Sequence, residues 1–160
     1  MKRVILLIMV WCMFPSLGLA ADNAACQLVD AARNKDLATL KTLLDLGHHP
    51  NANCGNKTPL IAASFSGHAE VVKILLDRGA DPNIQDTGGE TALMQAVARV
   101  GHGQEQIVRM LLAAGADINI RDKRGETVKD RLLKGPMMTE KRKILELLNS
   151  ASNKSGAGTR

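Results

Sequence analysis

Two cysteines, Cys26 and Cys54, and two neighbouring histidines, His48 and His49, are the side chains of this sequence best suited to chemistry. Thiolate and imidazole bind zinc, a thiol of lowered pKa does redox work, and two thiols in an oxidising compartment can bridge. A metal site is not expected, because consecutive histidines in an extended segment point to opposite faces and no fourth ligand is evident. A redox role would fall to Cys54, with turnover in a peroxide or disulfide assay as its mark. No nucleophile elbow, phosphate-cradling glycine loop, paired His-Glu helix motif or Cys-His-Asn signature accompanies these residues. The chain is therefore expected to be no enzyme and to carry no cofactor.

Whether the cysteines meet oxidising conditions depends on the first twenty residues. Lys2 and Arg3 precede an apolar run over residues 4–14, and Pro15, Gly18 and Ala20 supply a break and a small-x-small exit. This is the pattern of a secretory signal peptide cut after Ala20. The short basic start fits export to a Gram-negative periplasm, where a disulfide between Cys26 and Cys54 competes with two free thiols. The apolar run is short for a membrane span, so no membrane association is expected after cleavage. The alternative is a retained anchor on a membrane-tethered structural scaffold.

Composition narrows the partners. The formal charge of +5 rests on 21 basic and 16 acidic side chains, and removal of Lys2 and Arg3 leaves 19 against 16, or +3. No basic run with interleaved aromatics is present, so nucleic acid is not an expected partner. Trp11, Phe14 and Phe65 are the only aromatic residues, and tyrosine is absent. With 160 residues the chain has room for one domain, whose core must come from Leu, Ile, Val, Ala and Met.

The elements that position these residues repeat. Leucine pairs stand at Leu43-Leu44, Leu75-Leu76, Leu111-Leu112 and Leu147-Leu148, and the intervals of 32, 36 and 36 residues are those of a solenoid. Thr58, Thr91 and Thr127 open successive units, and Gly47, Gly79 and Gly115 close the longer helices. Thr58 is a good N-cap and Pro59 suits the first helical position, so a short helix is predicted from Pro59 to about Phe65. A second helix from Ala69 to Arg78 carries Val71, Val72, Ile74, Leu75 and Leu76 on one broad face, and Gly79 ends it in the left-handed conformation. Asp81-Pro82-Asn83 and Gly88-Gly89 then form the turns of a protruding loop.

The segment "NKTPLIAASFSGHAEVVKILLDRGADPNIQD", residues 56–86, resembles the ankyrin repeat, and residues 88–122 are similar to it almost as closely. Degenerate first and last copies extend the resemblance over about residues 25–149. It implies an all-α solenoid of about four helix-turn-helix repeats, 25–55, 56–88, 89–124 and 125–149, with β-hairpin-like fingers. Residues 150–160, rich in Ser, Gly and Ala, are expected to be a disordered tail. The family's histidine after T-P-L is Ile61, Met94 and Asp130 in successive units, which implies weaker helix starts. Three extra residues lie within 100–106, on the side away from the fingers. Lys129, Arg131 and Lys134 replace usually apolar positions, as suits a terminal cap with one face in water.

The resemblance also implies a binding surface on the finger tips and the exposed ends of the first helices. Carried onto this sequence, it falls on Lys57, Phe65 and Ser66, then on Gln85, Thr87, Glu90 and Arg99, then on Arg121, Lys123, Arg124 and Glu126. Phe65 is an anchor for a partner if it does not simply cover the next repeat, and Arg121, Lys123 and Arg124 could steer an acidic one. The repeat register puts Cys26 at the capping position of unit one and Cys54 in the following finger, on the same edge. The implied function is a monomeric, non-catalytic protein-binding module. Small exported relatives of this kind look like accessory or protective factors, supporting an enzyme of oxidative stress or conferring immunity to a toxin.

Overall fold

A computed structural model of the protein describes residues 17–99, 103–134 and 139–156. The apolar core of the expected export signal lies outside these residues, as do part of the inserted connection, residues 100–102, and the last four residues. Among the described residues eight helices pair along the chain: α1 Leu17–Asn34 with α2 Leu37–Asp45, α3 Pro59–Ser66 with α4 Ala69–Asp77, α5 Ala92–Ala98 with α6 Gln104–Ala113, and α7 Val128–Leu133 with α8 Thr139–Gly156. The odd-numbered helices pack against one another in sequence order as an inner layer. The even-numbered helices form an outer layer, with α4 on α6 and α6 on α8.

Local chemistry sets each helix start. Thr58, Thr91 and Thr127 are extended, and their hydroxyls accept from the backbone N–H of Ile61, Met94 and Asp130 at 3.3, 3.3 and 3.4 Å. The expectation of weaker starts needs correction for the last unit. There the Asp130 carboxylate accepts from the Thr127 N–H at 2.9 Å and from its hydroxyl at 2.8 Å, completing a capping box. Asp36 caps α2 by accepting from the Thr39 N–H at 3.1 Å. His68, at the matching position before α4, makes no cap and instead brings its Nε2 within 3.0 Å of the Arg33 carbonyl, tying α1 to the second repeat.

The core is one leucine-rich seam. Leu28, Leu60 and Leu93, each two residues after the capping position, are fully buried, and Ala31, Ala63 and Ala96 let the inner helices approach closely. In the last unit the position of Leu28, Leu60 and Leu93 is taken by Lys129, half-buried at the end of the stack. Each fully buried leucine contributes about 2–5 kcal/mol relative to alanine.

Four sequence expectations are revised. Cys26 does not start a helix but sits inside α1, which runs unbroken from Leu17 because nothing in residues 17–25 interrupts it. The last leucine pair is out of register: Leu148 is fully buried and Leu147 only partly, the reverse of Leu111 and Leu112. Ile144 and Leu148 repeat the i, i+4 spacing of Ile107 and Leu111 with one residue more between units. Residues 150–156 continue α8 and are not an irregular tail, because no proline and no interior glycine stops the helix before Gly156. Arg131 does not face water, as its side chain is 13% exposed and ion-paired.

Candidate functional site

The fingers are rows of turns held to one another. In the second and third fingers a buried or half-buried aspartate organises the tip: Asp86 Oδ1 accepts from Gly88 N–H and Glu90 N–H at 2.8 and 2.9 Å, and Asp122 Oδ1 accepts from Arg124 N–H and Glu126 N–H at 2.8 and 3.0 Å. The Glu126 N–H, followed by Arg124, holds the Asp122 carboxyl below the usual aspartate range, against the opposing effect of burial. The first finger is one residue shorter and has Cys54 in that place. Its tip is a two-residue turn, with Gly55 and Asn56 both left-handed and Cys54 exchanging both backbone hydrogen bonds with Lys57. Cys54 is disulfide-bonded to Cys26, with Cα atoms 4.8 Å apart, so a covalent link to α1 stands where the other fingers use an aspartate.

Successive fingers are laced by asparagines. Asn51 accepts from the Asp81 N–H at 2.8 Å; Asn83 accepts from the Asp117 N–H at 2.8 Å and donates to the Gly115 carbonyl at 3.1 Å. The Lys123 N–H donates to the Gly88 carbonyl at 2.9 Å, which brings the backbone so close that a Cβ on Gly89 would lie 2.9 Å from the Lys123 nitrogen. Gly89, at φ 75°, is therefore fixed by both conformation and space.

The residues expected to contact a partner divide into two groups. Gln85 donates to the Gly89 and Arg121 carbonyls at 2.7 and 3.0 Å, and Arg121 donates to the Gly125 carbonyl at 2.6 Å. Glu90 receives Gln95 and Arg131; Arg124 lies against Asp122 at 3.3 Å and Glu90 at 3.4 Å; Glu126 is paired with Lys134. These five side chains build the third and fourth units, leaving Thr87 and Lys123 exposed beside them.

Lys57, Phe65, Ser66 and Arg99 form the other group. Phe65 is half-buried at the end of α3, with the Lys57 ammonium 5.6 Å and the Arg99 guanidinium 4.5 Å from its ring centroid. Each such contact contributes about 0.5–1 kcal/mol when exposed. Arg33, Lys57, Ala62, Phe65 and Ser66 line a shallow cup on this face. Sequence reasoning passed over Arg33, although it stands 32 residues before Phe65, at the same position of the preceding unit.

Both described cysteines are bridged, so neither offers a thiolate, and the His49 Nδ1 accepts from the Asn51 N–H at 3.1 Å within its own turn. Among the described residues no three His, Cys, Asp or Glu side chains come together in a metal-binding group, and no helix is long and apolar enough to cross a membrane.

Paired helices stacked one on the next, with a row of laced fingers along one edge, define a repeat scaffold. The chain belongs to the ankyrin-repeat family: the family model described as Ankyrin repeats (3 copies) matches residues 28–122. It is similar to Zygote-specific protein 3 of Chlamydomonas reinhardtii, 42% identical over 71 residues, which cover 44% of this chain and 19% of that protein. It is also similar to the E3 ubiquitin-protein ligase XBAT33 of Arabidopsis thaliana, 42% identical over 91 residues, covering 54% of this chain and 17% of the ligase. The Ankyrin repeat-containing protein P1E11.10 of Schizosaccharomyces pombe is 51% identical over 51 residues, or 31% of this chain and 25% of that protein. The chain thus spans a quarter or less of the length of these relatives, all three of them eukaryotic. An ankyrin-repeat domain is typically a non-catalytic protein-interaction module.

Proposed function

We propose that this chain is an exported, monomeric, non-catalytic module that binds another protein through its finger-and-inner-helix face, in the cup around Phe65. The single observation that carries this is the division of the face. Glu90, Asp122, Arg124, Glu126, Arg131 and Lys134 of the third and fourth units are engaged with one another, whereas Lys57 and Arg99 have only the Phe65 ring as a partner among the described residues. A semi-exposed aromatic flanked by uncompensated cations is the composition of an interface hot spot.

Export is supported by the pattern of residues 1–20 and by the Cys26–Cys54 bridge, which suits an oxidising compartment such as a bacterial periplasm. Supporting an oxidative-stress enzyme and neutralising a toxin both need only a surface that stabilises or occludes another protein. A membrane-tethered scaffold is the second reading, favoured by the unbroken passage of α1 through Ala20-Ala21. N-terminal sequencing of the protein from its native cells separates the two: a chain starting at Ala21 supports export, and one starting at Met1 supports the tether.

The test of binding is site-specific photo-crosslinking in those cells. A photoreactive residue at Ser66, in the cup, should form a discrete adduct with a second protein, and one at Lys73, on the outer helix α4, should not. Adducts from Lys73 alone would contradict the proposal.

A further inference from the structure

We propose that the cup lined by Arg33, Lys57 and Phe65, with Arg99 stacked on the Phe65 ring beside it, docks an acidic segment of the partner protein, whose carboxylates sit against the three cations. This rests on the protein-binding function above and adds the chemistry of what is bound.

The cations come from three consecutive repeats: Arg33 from the end of α1, Lys57 from the finger leading into α3, and Arg99 from the residue after α5. Only the stacked solenoid assembles them around Phe65. Their charges are poorly compensated. The recorded acidic partner of Arg33 is Asp30, 3.9 Å away with both side chains more than half exposed, and among the described residues Lys57 and Arg99 have none. The contrast with later units is informative, because the position of Lys57 is taken there by Glu90 and Glu126, each already held by basic side chains of the last repeat. One half of the face is internally neutralised and the other carries a surplus of positive charge.

Phe65 makes that surplus usable. Its ring attracts both cations, which limits the freedom they would lose on binding, while their N–H groups remain available to a carboxylate. Two cations on one ring also repel each other, and an anion relieves that repulsion. The same geometry disfavours nucleic acid. With Lys57 and Arg99 over the ring, Phe65 has little free face on which a base could stack, and Trp11 and Phe14, the other aromatics, lie within residues 1–20.

The experiment is fluorescence anisotropy with the full chain, its disulfide intact, and the labelled peptide Glu-Glu-Leu-Glu-Glu-Leu-Glu-Glu, with glutamine replacing every glutamate in the control peptide. The acidic peptide should bind, more weakly as sodium chloride rises, and the glutamine peptide should not. Lys57→Glu/Arg99→Glu should weaken binding about tenfold or more, and Phe65→Leu about threefold. Lys123→Glu, a single charge reversal away from the cup, should change it less than about twofold. Circular dichroism establishes that each variant keeps its helices. Equal binding of both peptides, equal loss with Lys123→Glu, or displacement of the peptide by single-stranded DNA or phosphatidylglycerol vesicles at lower concentration would overturn the proposal. If a partner crosslinks at Ser66 but tolerates Lys57→Glu/Arg99→Glu, the acidic-segment proposal fails and the binding module stands; if no protein crosslinks at Ser66, the module itself fails.

Discussion

Arg131, on the last inner helix, closes its guanidinium on the carboxylate of Glu90, forty-one residues earlier in the chain. The same guanidinium reaches Asp122 at 3.6 Å, and Arg131 and Asp122 are 13% and 1% exposed at their side chains. A terminal repeat that lacks a following neighbour is thus fastened backward by charge. Arg131→Met should lower stability by about 1–3 kcal/mol in urea denaturation, because it leaves buried Asp122 and half-buried Glu90 with only the exposed Arg124 to neutralise them. The double variant Glu90→Gln/Arg131→Met should recover part of that loss. Additive losses would mean that the pair does not interact.

Gly89 and Gly115 separate conformation from space. Both are left-handed, at φ 75° and 87°, but a Cβ on Gly115 meets nothing within 4 Å, while one on Gly89 meets the backbone of the next finger. Gly115→Ala should cost about 1 kcal/mol from backbone strain alone. Gly89→Ala should cost about 2–3 kcal/mol, since the neighbouring finger must also move. Equal losses in thermal melts would show that the second and third fingers do not approach closely in solution.

The Cys26–Cys54 bond closes a loop with a sequence separation of 28. Its removal by Cys26→Ser/Cys54→Ser should cost about 3 kcal/mol through the unfolded chain. The effect should be local, because α2 and the first finger have neighbours on one side only. Hydrogen exchange in residues 28–57 should accelerate on reduction well before that in residues 91–112. Uniform acceleration would show that the stack unfolds as one unit.

Asp36, Asp122 and Asp130 all have carboxyl pKa values lowered from the ordinary value of 3.8, held down first by the Thr39 side chain, the Glu126 N–H and the Thr127 N–H respectively. A carboxyl with a lowered folded-state pKa stabilises the protein above its unfolded pKa and loses that contribution as pH falls through the folded value. Stability should therefore be insensitive to these groups above about pH 5 and drop steeply below about pH 4. Asp122→Asn should destabilise the protein at neutral pH and flatten the acid limb. An unchanged limb would show that Asp122 does not titrate differently on folding.

Local grammar made the middle of this protein legible. Thr58 and Pro59 at a helix start and Gly79 at a helix end are each decided within a few residues, leucine pairs recur at intervals of 32 and 36 through Leu111-Leu112, and the structure follows them. The ends were less legible for the same reason. Leu147-Leu148 looks like the earlier leucine pairs, yet the added residue that buries Leu148 in place of Leu147 leaves no local mark. At the candidate face, identical-looking charges differ only in what they meet across repeats. Arg124 and Arg131 find acids on the finger turns, whereas Lys57 and Arg99 find an aromatic ring, and neither outcome can be read from residue type.

Partner binding in the Phe65 cup is tested most directly by a backbone NMR titration of the isotopically labelled full chain with the protein crosslinked at Ser66, once identified. With binding in the Phe65 cup, the amides of Lys57, Phe65, Ser66 and Arg99 should shift or broaden at substoichiometric partner, while those of Lys73 and Arg109 on the outer helices stay in place. Perturbations confined to the outer helices, with the Phe65 cup unchanged, would contradict it.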